Sequence, residues 1–265
     1  MVDVVLGSYY PGDSVVHRLD ARVKLLLVLA LLVLVLLAQA VLELVLLAAF
    51  ITSIVLSARI PLLTVLKAVL PLCFLLLFPL VFNALFTPTG APLFSWGVLS
   101  VTDEGLTRAA LFSSRLFLLF VTATTLTLTT SPITLCDATA ALLSPFERVG
   151  LPVGEIAMVA GIALRFIPNL VEDYGVIRKA QLARGARFAR GGPIARVKSV
   201  PSVLVPLFAT ALRQAEDLAQ AMESRCYHGA ERTHYHELKI ARRDLFAAGA
   251  TAIIGAALVM LKVLL

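Results

Sequence analysis

The sequence predicts an all-α fold: a polytopic helical membrane protein with about five transmembrane helices and two long helices outside the bilayer. Three observations carry this. The 265 residues are 59% hydrophobic and only 15% charged, where a soluble domain of this length carries about 25% charge. Apolar runs of membrane-spanning length recur along the chain, which has a mean hydropathy of +0.92. The remaining charge is concentrated in one long basic stretch, and basic residues beside apolar spans mark cytoplasmic loops.

The first run, Leu25 to Ala58, has few polar interruptions, Gln39, Glu43, Thr52 and Ser53 among them, and no basic residue. As one helix it would extend about 50 Å, against a hydrocarbon core of about 30 Å. A hairpin is therefore expected, with its turn near Gln39 to Glu43. Arg22 and Lys24 ahead of this run and Ala38-Gln39-Ala40 within it imitate a cleavable signal peptide, but the leader would be unusually long and a second apolar run follows at once. The chain is expected to keep this segment. His17, Arg18, Arg22 and Lys24 precede the hairpin and Arg59 and Lys67 follow it, so both of its ends read as cytoplasmic.

The third span, Ala68 to Phe86, contains Pro71 and Pro79 and crosses outward. Thr87 to Leu106 has no lysine or arginine, has Asp103 and Glu104, and is punctuated by Pro88, Gly90 and Pro92. It reads as an external loop. Leu116 to Thr130 returns to the cytoplasm and Ser131-Pro132 ends it. Arg115 lies in that fourth span, where an exposed charge is costly, so it is expected to face protein as a structural contact. A fifth span, Leu245 to Leu265, follows Arg242 and Arg243. The expected organisation is thus an N-terminal membrane domain over 1–131, a cytoplasmic region over 132–243 and a C-terminal transmembrane helix over 244–265.

From Pro132 to Arg243 the chain holds 15 of its 23 lysines and arginines, and Gly175 to Ala215 carries eight of them with no Asp or Glu. Such a surface suits anionic headgroups or an acidic groove on a protein. The net charge of +6 comes without a nucleic-acid recognition motif, and no nucleic-acid partner is expected. Two long helical patterns lie here. One runs from Glu155 to Ala183-Arg184-Gly185. In the other, Leu204, Leu207, Phe208, Ala211, Ala215, Leu218 and Met222 recur at helical spacing as an apolar packing stripe, with Arg213, Glu216, Asp217, Gln220 and Glu223 opposite. This helix ends in Ser224-Arg225-Cys226. Each helix therefore presents an arginine between small residues near its C-terminal end. Small flanks allow close backbone approach and arginine offers a forked, permanently charged donor to carboxylates. The same arginines also complement a helix dipole.

At these residues the sequence resembles the transmembrane T component of energy-coupling factor transporters, including the related cobalt-transport permeases. Three stretches carry the likeness, which extends over nearly the whole chain. They are Tyr10-Pro11-Gly12-Asp13-Ser14 leading into His17-Arg18-Leu19-Asp20-Ala21-Arg22-Val23-Lys24, then Leu164-Arg165-Phe166-Ile167-Pro168 running to Gln181-Leu182-Ala183-Arg184-Gly185, then Leu218-Ala219-Gln220-Ala221-Met222-Glu223-Ser224-Arg225-Cys226-Tyr227. The resemblance implies that Ala183, Arg184 and Gly185, with Ser224, Arg225 and Cys226, dock two cytosolic ABC-type ATPase subunits. It further implies that the membrane helices hold a substrate-binding S component that delivers a vitamin or transition-metal ion. Two departures stand out: the second triplet more often reads Ala-Arg-Gly in the family, and Ala21 stands where the family usually has proline.

No catalytic residue, cofactor or metal site is expected. The chain has no GxxxxGK[ST] phosphate loop, so ATP hydrolysis would belong to a partner. His228, His234 and His236, with Glu231 and Glu237, lack metal-ligand spacing. The three cysteines, Cys73, Cys136 and Cys226, are too far apart in sequence for a CxxC site and are expected as thiols. A self-sufficient transporter would place ionisable residues along a central path, and only Glu43 and Arg115 qualify.

Overall fold

A computed structural model of the chain describes residues 9–86, 92–96, 99–186, 200–227 and 241–264. The chain divides into two units: Gly7–Ala138 with Leu238–Leu265, and Met1–Leu6 with Thr139–Glu237.

The first unit is a helical bundle. Helix α1 (Ala21–Leu37) starts where the Asp20 side chain accepts the Arg22 N–H at 2.9 Å, satisfying one of the orphan donors of a helix N-terminus. Helix α2 (Val41–Ser57) follows after a break at Ala38–Ala40 in extended backbone. Neither glycine nor proline makes this break. The Glu43 carboxylate reaches back to accept the N–H groups of Gln39 (2.6 Å) and Ala40 (3.2 Å), and Arg115 donates from α5 to the Ala38 carbonyl. The turn is thus closed from inside by one charged residue and from the neighbouring helix by another.

A left-handed Arg59 (φ +54°) and Pro61 end α2, and the axis turns by 119° into α3 (Leu62–Val69) and the 3-10 turn Leu70–Leu72. Pro71 lacks the N–H needed to continue an α-ladder. Helix α4 (Cys73–Phe86) follows, so the stretch expected as one span, Ala68 to Phe86, consists of the end of α3, this 3-10 turn and α4. An antiparallel ribbon of β1 (Pro92–Trp96) and β2 (Leu99–Thr102) follows, pairing Phe94 with Val101 and Trp96 with Leu99. It is the sole sheet among the described residues, in the stretch expected as a loop.

Helix α5 (Asp103–Thr129) is the axis of the unit. It is N-capped by the Thr102 hydroxyl, which accepts the Gly105 N–H at 3.1 Å, and its first turn holds Asp103 and Glu104, favourable at the positive end of a helix dipole. It packs against α1, α2, α3 and α4. Its buried threonines donate to the carbonyl four residues back: Thr122 to Leu118 and Thr125 to Val121 at 2.7 Å, Thr129 to Thr125 at 2.8 Å. Hydroxyls satisfied in this way expose their methyl groups to the neighbouring helices. Helix α9 (Arg242–Leu264) packs on α1 and α2.

The connections fix the helix directions. Lys24, in the first turn of α1, donates to the Thr129 carbonyl at the end of α5 at 3.2 Å, while Val55 at the end of α2 and Val65 of α3 cluster with Leu128. Hence α1 and α2 are antiparallel, as the expected hairpin requires. At the same end Asp244 of α9 accepts the buried Asp20 N–H at 2.9 Å and the Ala241 N–H at 2.7 Å, and Tyr10 N–H donates to the Leu128 carbonyl at 2.9 Å. His17 secures the preceding segment through the Ser14 hydroxyl (2.7 Å) and the Tyr10 carbonyl (3.1 Å). Val35, Leu47, Ile51, Leu118 and Leu258 fill the centre. Leu26, Leu29, Val33 and Leu36 of α1 remain exposed, the outward apolar surface of a membrane bundle.

Helix α6 (Pro132–Leu143) crosses the division between the units. The second unit continues through a 3-10 segment, Ser144–Val149, ended by Gly150 at φ +92°. Helix α7 (Val153–Ala183), with Pro168 inside, has 31 residues and α8 (Pro201–Glu223) has 23, about 46 and 34 Å at 1.5 Å per residue. They pack on each other, and Gln214 of α8 donates to the Asp173 carboxylate of α7 at 2.9 Å.

By length and composition α5, α7 and α9 are each able to cross a membrane, as is the bent pair Val41–Ser57 with Leu62–Leu72. Helix α1, with 17 residues, meets the lower limit of roughly 17.

Candidate functional site

The two small-arginine-small triplets close their helices with the same geometry. After α7, Gly185 takes the left-handed conformation at φ +87°, its N–H donates to the Leu182 carbonyl at 3.0 Å, and the Ala186 N–H donates to Gln181 at 2.9 Å. After α8, Cys226 is left-handed at φ +57°, its N–H donates to Glu223 at 2.9 Å, and the Tyr227 N–H donates to Met222 at 3.1 Å. Both are the paired bonds of a Schellman closure, which satisfies helix-end carbonyls by turning one residue into the left-handed region. In each, arginine is the last residue before that turn. The rule linking the triplets is therefore conformational as well as steric: the residue after the arginine has to accept positive φ.

Ala183, Arg184 and Gly185 are exposed, as are Ser224, Arg225 and Cys226. Among the described residues neither Arg184 nor Arg225 forms an ion pair. Each guanidinium is a permanently charged donor standing free at a helix end, where the dipole contributes partial negative charge. An acidic partner would find cationic forks flanked by little side-chain bulk. Among the described residues, a Cβ added at Gly185 would meet no atom beyond its chain neighbours within 4 Å.

The apolar stripe of α8 divides between two environments. Leu207, Ala211, Leu218 and Met222 are partly covered, beside buried Val203 and the Gln214–Asp173 bond. Leu204 and Phe208 are 54% and 62% exposed, and Ala215 is also exposed. The apolar arc is wider than the face one neighbouring helix covers.

The sequence did not single out Asp173, Gln214 or the left-handed turn at Cys226. A Cys in place of a C-terminal glycine carries no warning of its φ, and a pair 41 residues apart has no local pattern. Of the midspan charges, Glu43 and Arg115 converge on the turn between α1 and α2, a structural placement.

Comparison with known proteins decides what these features belong to. The model of the cobalt transport protein family matches residues 12–235. The energy-coupling factor transporter transmembrane protein of Thermosediminibacter oceani is 42% identical over 261 residues, covering 98% of both chains. The chain belongs to this energy-coupling factor transporter family. Its counterparts in Ruminiclostridium cellulolyticum, at 42% over 95% of this chain and 94% of the relative, and in Streptococcus equi, at 38% over 99% and 98%, have the same name.

Membership in the energy-coupling factor family agrees with the fold, that of an all-α polytopic membrane protein. Among the described residues no group of three or more His, Cys, Asp or Glu is placed to hold a metal. His228, His234 and His236, with Glu231 and Glu237, lie outside the described residues, as do Arg187, Arg190, Arg196 and Lys198. Cys136 and Cys226 are thiols, and the Cys136 thiol is shifted upward in pKa by burial and then by Asp137.

Proposed function

We propose that this chain is the transmembrane coupling subunit of an energy-coupling factor importer, linking ATP hydrolysis by two cytosolic ABC-type ATPase subunits to reorientation of a membrane-embedded S component. The cargo class is a vitamin or a transition-metal ion, delivered by the S component. The chain itself is non-catalytic. Residues 1–131 and 244–265 lie in the cell membrane, the N-terminus faces the cytoplasm, and 132–243 form the cytoplasmic coupling region.

The observation that carries this reading is the pair of matching helix closures, each with an exposed arginine that forms no ion pair among the described residues. Arg184 and Arg225 are assigned to carboxylates and helix-end carbonyls on the ATPases. Ala183, Gly185, Ser224 and Cys226 keep those approaches clear. Leu207, Ala211, Leu218 and Met222 pack the coupling helices together, while Leu204, Phe208 and Ala215 are available to a partner or to the bilayer. Local net positive charge draws an acidic docking groove and speeds encounter.

A second reading arises from α7, whose length and composition suit a membrane span. Arg165 sits within that apolar stretch, and a charge at mid-bilayer is expensive. A helix lying along the inner surface keeps it hydrated. Single cysteines at 186 and 150, labelled with an impermeant maleimide in oriented vesicles, separate the readings: both positions face the cytosol in the coupling arrangement, and only one does if α7 crosses.

The docking assignment is tested by copurifying tagged ATPases with Arg184→Ala, Arg225→Ala and the double variant. Truncating one partner of a buried charge pair costs about 2–5 kcal/mol of binding, so each single variant should weaken retention and the double should abolish both retention and uptake. Unchanged copurification and uptake in the double variant would refute the assignment.

A further inference from the structure

A cavity of about 490 Å³ opens between α1, α2, α5 and α9, at the end of the bundle where α1 and α9 begin. Its size falls within the roughly 300–1,000 Å³ of small-molecule sites. Its lining is unusual in one respect: five of its six hydroxyl side chains donate to carbonyls of their own helices. Thr122, Thr125 and Thr129 donate to α5 carbonyls, Thr251 donates to Ala247 at 3.0 Å, and Ser53 donates to Phe50 at 2.7 Å. What these residues offer an occupant is methyl and methylene surface, continuous with leucine, valine and isoleucine side chains on α1 and α2.

Two cations break this apolar character. Lys24 lines the cavity, is 5% exposed, and uses one of its donors on the Thr129 carbonyl, whereas an ammonium has three. Arg243 lines it as well, is exposed, and forms no ion pair among the described residues. Of the nearby carboxylates, Asp244 accepts two backbone N–H groups and also attracts Lys24 electrostatically, while Asp20 accepts the Arg22 N–H through one oxygen only. Arg243 is the cation left for an anionic head, with Lys24 shared between Asp244 and the cavity. Phe246, 78% exposed, forms part of the same wall. A hydrocarbon-walled crevice with two cationic groups matches an amphiphile with an apolar tail and an anionic head.

We propose that this cavity binds an anionic glycerophospholipid, with one acyl chain in the threonine-backed crevice and its phosphate at Arg243 and Lys24. The assignment rests on the orientation proposed above, which places this end of the bundle at the anionic cytoplasmic leaflet. Basic pockets between transmembrane helices on that side select anionic headgroups. The lipid would occupy the space where α9 meets the α1–α2 hairpin and would bear on how those helices are spaced.

The experiment is native mass spectrometry of the full-length chain with the partners it retains, delipidated in mild detergent and titrated with dioleoyl phosphatidylglycerol or dioleoyl phosphatidylcholine. Each basic contact near the surface contributes about five-fold, so phosphatidylglycerol should form a single adduct at about thirty-fold lower concentration than phosphatidylcholine. Arg243→Gln should reduce that preference about five-fold. Ala250→Phe, which fills the crevice, should reduce retention of both lipids, and millimolar inorganic phosphate should displace neither. Equal retention of the two lipids, an unchanged preference in Arg243→Gln, or displacement by phosphate alone would overturn the proposal. So would a crosslink from position 250 to a partner helix in place of any adduct. Should Ala250→Phe melt early, Arg243→Gln on the exposed side chain decides. The cysteine-labelling result is independent, so failure of the orientation and failure of the lipid site are separable.

Discussion

Cys226 is the residue at which this chain departs from glycine while keeping glycine's conformation, and Cys226→Gly measures the consequence. A left-handed φ costs an L-residue about 1–2 kcal/mol, and Cys226 holds φ +57°. Glycine removes that cost but gives the unfolded chain about 0.4–1 kcal/mol more entropy to lose. The net gain is about 0.5–1 kcal/mol for the closure of α8. Gly185→Ala at φ +87° should show the opposite sign and similar size, because among the described residues no atom beyond its chain neighbours lies within 4 Å of the added Cβ. The assay is amide hydrogen exchange on the last turn of each helix. Protection of the Tyr227 amide, bonded to Met222, should rise about two- to five-fold in Cys226→Gly. Protection of the Ala186 amide, bonded to Gln181, should fall by a like factor in Gly185→Ala. Gly185→Asn is the informative control, since asparagine tolerates the left-handed region yet carries bulk. If ATPase retention survives Asn but not Ala, the glycine serves conformation; if both abolish it, the glycine serves close approach. Unaltered exchange at Ala186 in Gly185→Ala would show that the paired-bond closure is not what holds this end of α7.

Arg115→Met should destabilise the bundle by about 1.5–3 kcal/mol, the range for hydrogen bonds to charged groups, because the Ala38 carbonyl loses its donor; thermal melting in detergent checks this, and an unchanged melt would leave the turn to Glu43 alone. Asp244→Ala strands the buried Asp20 N–H, at about 1–3 kcal/mol for a buried unsatisfied group, and frees the Ala241 N–H at the exposed start of α9; proteolysis near residue 241 should report that loosened start. A double-mutant cycle on Asp173→Ala and Gln214→Ala should give a coupling of about 0.5–1.5 kcal/mol for the α7–α8 bond; zero coupling would remove it as a determinant of that packing. Maleimide labelling of Cys136 should keep accelerating above the pH at which an ordinary thiol levels off, because burial and Asp137 hold its pKa up. Since thiolate is the reactive form, Asp137→Asn should speed labelling at fixed pH.

Much of the bundle was legible because lipid imposes long apolar runs and leaves charge little choice of place. The hairpin of α1 and α2 followed from length, since a helix from Leu25 to Ala58 overshoots the bilayer, together with the basic residues on both sides that put its two ends on one face. How that hairpin closes was not legible. Gln39 and Ala40 are ordinary helix residues, and the break depends on Glu43 reaching back locally and Arg115 reaching across from a helix far along the chain. The third span was read whole, whereas the 3-10 turn Leu70–Leu72 around Pro71 divides it between α3 and α4. Proline inside an apolar run was visible; the direction in which the freed chain would turn depends on packing against α5. The same holds for α5, whose span was read from Leu116. The helix begins at Asp103 because the Thr102 cap and two acidic residues suit a helix start.

The candidate site shows the limit most clearly. Arginine between small residues was readable as a motif, and the motif suggested a steric reason for the small flanks. The backbone supplies a second reason, because Gly185 and Cys226 both occupy the left-handed turn that ends a Schellman closure. This separates the triplet into parts with different duties. The residue after the arginine sets where the helix stops, and the arginine, exposed and without an ion pair among the described residues, is what the proposed partner would grip. It follows that cysteine at 226 preserves the second duty while weakening the first by a fraction of the αL cost, about 1 kcal/mol. In the proposed coupling role, force passes through the last turn of α8 and depends on that turn staying wound, so coupling efficiency, more than docking, is the property that Cys226→Gly should change.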